Sequence, residues 1–105
     1  MDRRIILSPG ARADFISVAL WYYRIEAGLA FRFRAEVKAT LRRLARFPYA
    51  STCVGKTVER RTSMDRFRYY IYFHVRTNSV VVRRIIHQRR ADTVWQDRER
   101  GDHER

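Results

Sequence analysis

The chain has 105 residues, of which 46% are hydrophobic and 32% charged, a composition that supports one domain with a modest core and excludes a wholly disordered protein. Its 21 arginines and 2 lysines against 11 acidic residues give a net charge of +12, so we expect a polyanion or an acidic protein as partner. The sequence has no apolar run near the ~20 residues of a membrane span, no recognisable export signal and a single cysteine, Cys53, and therefore predicts a cytoplasmic protein without membrane association or disulfide.

The first half of the chain predicts one strand and two helices. Residues 3–7 form a short β-type run, and Ser8 followed by Pro9 is typical of a helix start. Apolar residues at helical spacing predict the buried side of the first helix: Ile16, Ala19, Leu20 and Tyr23. Gly28 is expected to end or bend this helix. A second helix follows, with the apolar stripe Ala30, Phe33, Val37, Leu41 and Leu44.

The second half predicts strands. The expected segments are an irregular stretch at 49–55, a strand at 56–61, and stronger strands at 67–76 and 79–88. Thr77-Asn78 is expected to form a tight hairpin turn. Residues 90–97 are expected to be a short helix or a loop, closing a single domain at 1–97, and 98–105 a polar flexible tail. The order β-α-α-β-β-β predicts an α+β fold, with a helical hairpin packed on one face of a small, mainly antiparallel sheet.

Strict alternation divides the last hairpin into two faces. The core-facing side would carry Phe67, Tyr69, Ile71, Phe73, Val75, Val80, Val82, Arg84 and Ile86. The opposite side would carry Arg68, Tyr70, Tyr72, His74, Arg76, Val81, Arg83, Ile85 and His87. This opposite side could pair phosphates and stack bases, or form a protein interface, although an exposed sheet face carries such residues without any ligand. Arg84 on the apolar side is expected to reach an edge or to pair with Asp14 or Glu26.

Several stretches taken together resemble the RelE/ParE superfamily of bacterial toxins. They are LSPGARADF after the first strand, WYY in the first helix, LARFP closing the second, FRYYIYFHV and VVVRRIIHQRRADTVW. The resemblance covers about residues 4–95. It implies a toxin of a type II toxin–antitoxin (plasmid-stabilisation) module, neutralised by a cognate antitoxin whose disordered, often acidic segment folds on binding. A toxin–antitoxin hetero-oligomer is also implied.

The superfamily holds two activities, and one of them is ribosome-dependent cleavage of mRNA. Such cleavage needs groups that activate the ribose 2′-hydroxyl, stabilise charge on the phosphate and protonate the leaving oxygen. On this alternative, the resemblance offers the set Arg68, Arg83, His87 and Arg89. Two of the three cutting positions depart from the pattern, because they hold Tyr69, placed on the core side, and Trp95, whose indole has no acid–base chemistry near neutral pH.

ParE-type members instead inhibit DNA gyrase by binding it, and HQRRADTVW is similar to their C-terminal stretch. This resemblance favours a gyrase-binding toxin with no catalytic residues. It implies target contacts at Arg83, His87, Arg89, Arg90 and Trp95. No group of His, Cys, Asp and Glu has metal-ligand spacing, so neither a metal nor a cofactor is predicted.

The antitoxin is expected along the groove between the helical hairpin and the sheet edge. Trp21, Tyr22 and Phe31 fall off the two apolar stripes and suit interface anchors, unless the helices are simply buried on two sides. A third alternative to both toxic activities is a degenerate homologue that only binds its antitoxin.

Overall fold

Two long helices and five strands make up most of the computed structural model, which describes residues 2–91. The elements are β1 (Arg4–Leu7), α1 (Pro9–Ile25), α2 (Ala27–Arg46), a 3₁₀ turn (Pro48–Ala50), β2 (Thr52–Cys53), β3 (Arg60–Ser63), β4 (Tyr69–Val75) and β5 (Ser79–His87). Residues 88–91, directly after β5, are helical. The predicted α+β class is confirmed, while most of the 90–97 segment, and the whole 98–105 tail, lie outside the described residues.

The five strands form one mixed sheet in the order β1-β5-β4-β3-β2. β1 runs parallel to β5, and the other neighbours are antiparallel. The predicted turn at Thr77-Asn78 is confirmed, since the Arg76 N–H donates to the Ser79 carbonyl at 2.8 Å. The turn joins the end of β4 to the start of β5. The beginning of β4 lies beside the end of β5, where Tyr69 pairs with His87.

The strand expected at 56–61 is wrong in position. The observed strand is β3, at Arg60–Ser63, and it follows a turn that closes where the Val54 N–H donates to the Glu59 carbonyl at 2.9 Å. Thr57 stabilises this turn, because its hydroxyl donates to the Val54 carbonyl at 2.7 Å and accepts from the Glu59 N–H at 3.1 Å. Such local side-chain bonds compete with strand pairing. The two-residue β2 was missed inside the stretch expected to be irregular.

The helix starts and ends follow local backbone chemistry. Ser8 caps α1 as predicted, since its hydroxyl accepts from the Ala11 N–H at 3.1 Å. The break between the helices lies at Glu26 and not at Gly28. Glu26 is extended (φ −161°, ψ 128°), and its carbonyl accepts from the Leu29 N–H at 3.0 Å, so it ends one helix and begins the next. Gly28 lies in the first turn of α2.

The buried side of α2 is the predicted one, whereas that of α1 is not. Phe33, Val37 and Leu44 are buried as expected. On α1, however, the expected stripe is mostly exposed, and the residues that pack on the core are Ala11, Phe15, Val18, Ala19 and Tyr22. Because α1 carries apolar residues almost all round, helical spacing alone cannot select its buried side. Aromatic packing selects it, with the Phe15 and Tyr22 rings 5.8 Å and 5.5 Å from the Phe33 ring.

Among residues 2–91, no helix combines the length and the apolar content needed to cross a membrane. The core lies between the helical hairpin and one face of the sheet, where Ile71, Phe73, Val80 and Val82 are fully buried.

Candidate functional site

A β-bulge in the last hairpin decides which side chains reach the candidate site. Tyr72 pairs with Arg84, but the next residue, Phe73, pairs with Val82, so Arg83 is an extra residue in β5. The strict alternation assumed from the sequence is therefore wrong beyond Arg83. Ile85, expected on the outer face, is buried in the core and pairs with Ile71. An extra residue shifts every later side chain to the other face of the strand.

Arg84 forms the predicted ion pair with Asp14 of α1. Its Nε donates to Asp14 Oδ2 at 2.7 Å and its Nη2 to Oδ1 at 3.3 Å, while the Ile85 N–H donates to the same Oδ2 at 2.9 Å. The hydrogen bonds to Asp14 raise the pKa of Arg84 further above its ordinary value. Glu26, the other expected partner, pairs with Arg32 at 3.7 Å instead.

The structure brings the backbones of Arg68, His87 and Arg89 together at the open end of the β4–β5 hairpin, where β4 begins and β5 ends. The Gln88 N–H donates to the Arg68 carbonyl at 2.9 Å, which ties the chain after β5 to the chain before β4. The Arg89 N–H donates to Nδ1 of His87 at 3.2 Å. Nδ1 is the acceptor in this bond, and Nε2 is the nitrogen left for another partner.

Tyr69 lies against His87 and is a core residue, as its position in the alternation predicted. It is 8% exposed, and its ring centre is 5.1 Å from that of His87 in an edge-on arrangement. Burial, followed by the neighbouring Tyr22 hydroxyl, raises the pKa of Tyr69 to about 12. A phenol with this pKa stays protonated at neutral pH, and its side chain is enclosed by the core.

The remaining sequence-predicted target contacts have different surroundings. Arg83, Arg89 and Arg90 are exposed. The Arg83 carbonyl accepts a hydrogen bond from the Ser8 hydroxyl at 3.0 Å, which holds the bulge backbone. Trp95 lies outside the described residues. The site thus has a half-buried imidazole with exposed arginines before and after it in the chain, and guanidinium groups are able to pair carboxylates or phosphates.

The helical hairpin carries a second candidate surface. Trp21 and Phe31 are 54% and 66% exposed, as expected of interface anchors. The expectation that Tyr22 is exposed is wrong, because it packs on the core with its ring centre 5.1 Å from that of Phe67. Sequence reasoning missed an exposed stripe on α1, formed by Ile16, Leu20 and Tyr23. The signal was present as helical spacing but was assigned to the core.

Within the described part of the chain, no three His, Cys, Asp or Glu side chains come close enough together to hold a metal ion. The absence of a metal and of a cofactor stays a prediction. Cys53 is free and exposed at the sheet edge, far along the sheet order from β5.

The helical hairpin packed on a five-stranded mixed sheet, with exposed arginines after the last strand, places the chain among small α+β proteins. A solved structure described as "Chromosomal ParDE TA system from P. aeruginosa" shares the fold, with a TM-score of 0.71 and 14% identity over 81% of this chain and 95% of that chain. The chain belongs to the ParE toxin family, described as "ParE toxin of type II toxin-antitoxin system, parDE", which matches residues 5–92. It is therefore a type II toxin–antitoxin toxin. No curated protein matches the sequence.

Proposed function

We propose that this toxin acts by binding DNA gyrase and breaks no covalent bond itself. The binding groups are the exposed arginines at the β4–β5 end, which is the open end of the hairpin where β4 begins and β5 ends. The observation that carries the proposal is the exposure of the arginines at this end of the sheet beside a buried tyrosine. Arg89 and Arg90 are exposed, whereas Tyr69 is buried in the core with its pKa raised to about 12. A general acid or base works best with a pKa near the operating pH and within reach of its substrate. Guanidinium anchors need neither property.

Supercoiling by purified gyrase tests this proposal. Wild-type toxin should inhibit the reaction, and Arg89→Ala should weaken inhibition by about tenfold, since an anchoring arginine contributes more than ~1 kcal/mol. Arg76→Ala is the matched control, because Arg76 is an exposed arginine at the other end of β4, roughly 25 Å from Arg68 at strand spacing. Full supercoiling in the presence of micromolar wild-type toxin contradicts the proposal.

The alternative is a metal-independent mRNA endonuclease acting on the ribosome. It is supported by the bonds from Gln88 to Arg68 and from Arg89 to His87, which bring the backbones of these residues to the same end of the hairpin. Primer extension on ribosome-bound mRNA distinguishes the two activities. Cleavage that disappears in Arg89→Ala and persists in Arg76→Ala favours the endonuclease, with Arg83 as a further phosphate contact. Normal growth on expression without antitoxin favours a degenerate homologue.

We further propose that the antitoxin neutralises the toxin by covering the exposed stripe of α1 with an acidic, amphipathic segment. Ile16, Leu20 and Tyr23 are at least half exposed, and Trp21 and Phe31 extend this apolar area. Exposed apolar patches of this kind favour a partner surface. The charge of +12 favours an acidic partner over a second copy of this chain, which would repel it. Tyr22 would support the surface from below as part of the core.

A further inference from the structure

We infer that Asp14 is a positioning residue for the candidate site, because its carboxylate holds the β5 bulge that sets the face on which His87 lies. The inference rests on the proposed target-binding function of that site. Asp14 itself belongs to α1 and was predicted neither as a target contact nor as an antitoxin contact. Its role follows from what it bonds and where the bulge lies.

Beyond the last residue of β1, residues at the start of α1 form hydrogen bonds with the edge of β5 that β1 leaves unpaired. The last β1–β5 pair is Leu7 with Val82. Beyond it, the Ser8 N–H donates to the Val82 carbonyl at 2.9 Å, and the Ser8 hydroxyl donates to the Arg83 carbonyl at 3.0 Å. Asp14 comes next, accepting from the Ile85 N–H at 2.9 Å. Ser8, the N-cap of α1, and Asp14 thus bond the backbone of β5 on both sides of Arg84.

The Asp14 carboxylate is well suited to hold this point. It is partly buried, with 19% of its side chain exposed against 47% for Arg84. One of its oxygens accepts from both the Arg84 Nε and the Ile85 N–H, and the other accepts from Arg84 Nη2. Bidentate bonds to a guanidinium are strong and directional. The bond to the backbone of Ile85 fixes the strand itself, two residues after the extra residue Arg83.

The bulge affects the site because side chains alternate between the two faces of β5. With the bulge, Ile85 faces the core and His87 lies against Tyr69, 5.1 Å between ring centres. If β5 continued without the extra residue, both side chains would turn to the opposite face. His87 would then lose its contact with the Tyr69 ring. Asp14 therefore controls the orientation of the target-binding end from across the sheet edge.

Asp14→Asn tests the inference, because it keeps the size of the side chain but replaces one accepting oxygen with a donor facing the guanidinium. We expect inhibition of gyrase to weaken by about tenfold, the factor that corresponds to one lost charge-assisted hydrogen bond. Binding of the antitoxin, measured by calorimetry, should stay within about twofold of wild type, since Asp14 bonds β5 on the side of α1 opposite to the exposed stripe Ile16, Leu20 and Tyr23. Asp65→Asn is the control, because Asp65 is exposed and its ion pair with Arg43 is long, at 3.9 Å.

Two measurements separate positioning from loss of fold. Exchange of the Ile85 amide proton should accelerate in Asp14→Asn, and NMR contacts between the His87 and Tyr69 rings should weaken, while the amides of β3 keep their protection. Arg84→Gln, which leaves the Asp14–Ile85 bond in place, should show a smaller change in both. The inference is overturned if inhibition and the His87–Tyr69 contacts are those of wild type. It is equally overturned if antitoxin binding and protection of the whole sheet are lost together.

These readouts also separate the inference from the proposed function. Should wild-type toxin leave gyrase untouched, the proposed function fails, yet the ring contacts and the Ile85 exchange still report whether Asp14 orients His87. Should wild-type toxin inhibit gyrase while Asp14→Asn inhibits equally well, only the positioning role fails.

Discussion

Burial determines what Tyr69 can do at the end of β4. Its hydroxyl lies beside Tyr22 in the core, and its pKa is raised from 10.0 to about 12. The neutral phenol is therefore favoured in the folded protein over the unfolded one, where the side chain is solvated. Tyr69 therefore contributes packing against His87 and no charge at neutral pH, and on the proposed function the charge for target binding would come from the exposed Arg89 and Arg90.

Tyr69 also predicts how stability depends on pH. Between pH 10 and about 12 the unfolded chain loses this proton while the folded chain keeps it, so the free energy of unfolding falls as pH rises. One such proton contributes a slope of at most about 1.4 kcal/mol per pH unit. Urea unfolding of Tyr69→Phe should lack this contribution. Tyr23→Phe, a change at an exposed tyrosine of α1, should keep the slope, and equal slopes in all three proteins would contradict the prediction.

His87 gives a prediction that separates docking from catalysis. Its Nδ1 accepts from the Arg89 N–H at 3.2 Å, and the side-chain oxygen of asparagine can occupy a similar position. His87→Asn should therefore keep gyrase inhibition within about threefold, whereas His87→Ala should lose up to about tenfold, the value of one hydrogen bond. If the toxin cleaves mRNA through His87, both variants lose cleavage alike. Supercoiling and primer-extension assays on the same three proteins distinguish these outcomes.

At the level of elements, the two helices show when a sequence reveals its buried side. In α2, charged residues separate cleanly from Phe33, Val37 and Leu44, so the pattern predicts the packing. In α1 the apolar residues cover nearly the whole circumference, and only the fit of Phe15 and Tyr22 against Phe33 decides which side is buried. Packing between distant segments is not encoded in local spacing.

The β4–β5 hairpin shows the same limit for strands. Its turn and its paired segments follow from alternation and turn residues, as does the Asp14–Arg84 pair, which charge complementarity predicted. The bulge at Arg83 does not follow, because nothing in the residue types marks an extra residue in the strand. The sequence thus identified Arg68 and Arg89 as site candidates. It predicted the wrong sheet face for Ile85 and His87, because both follow the bulge.

The exposed stripe of α1 predicts the effect of a charge placed on it. Leu20→Glu should leave the free energy of unfolding within about 0.5 kcal/mol of wild type, since an exposed site away from the core tolerates substitution. Antitoxin affinity should fall by at least about tenfold, because burying a leucine contributes ~1.5–3 kcal/mol and an acidic partner would be repelled. Calorimetric titration and thermal unfolding measure the two quantities. Val58→Glu, at the 78% exposed Val58 in the turn before β3, is the control, and an equal effect there would contradict the assignment of the surface.

At the scale of the whole molecule, the charge of +12 acts over distances comparable with the size of the protein, whose radius of gyration is 14.4 Å. At ~0.01 M salt the screening length is ~30 Å, so an approaching acidic segment feels the entire charge, while at ~0.15 M it is ~8 Å and only nearby arginines act. We therefore expect the association rate with the antitoxin to fall by about tenfold or more over this range of salt concentration. The dissociation rate should change much less, because the bound state would be held by apolar contacts on α1 that salt does not screen. Stopped-flow association and surface-plasmon dissociation measure the two rates separately. If salt instead acted mainly on dissociation, the complex would be held by ion pairs, and the antitoxin surface would have to be sought among the arginines of the β4–β5 end.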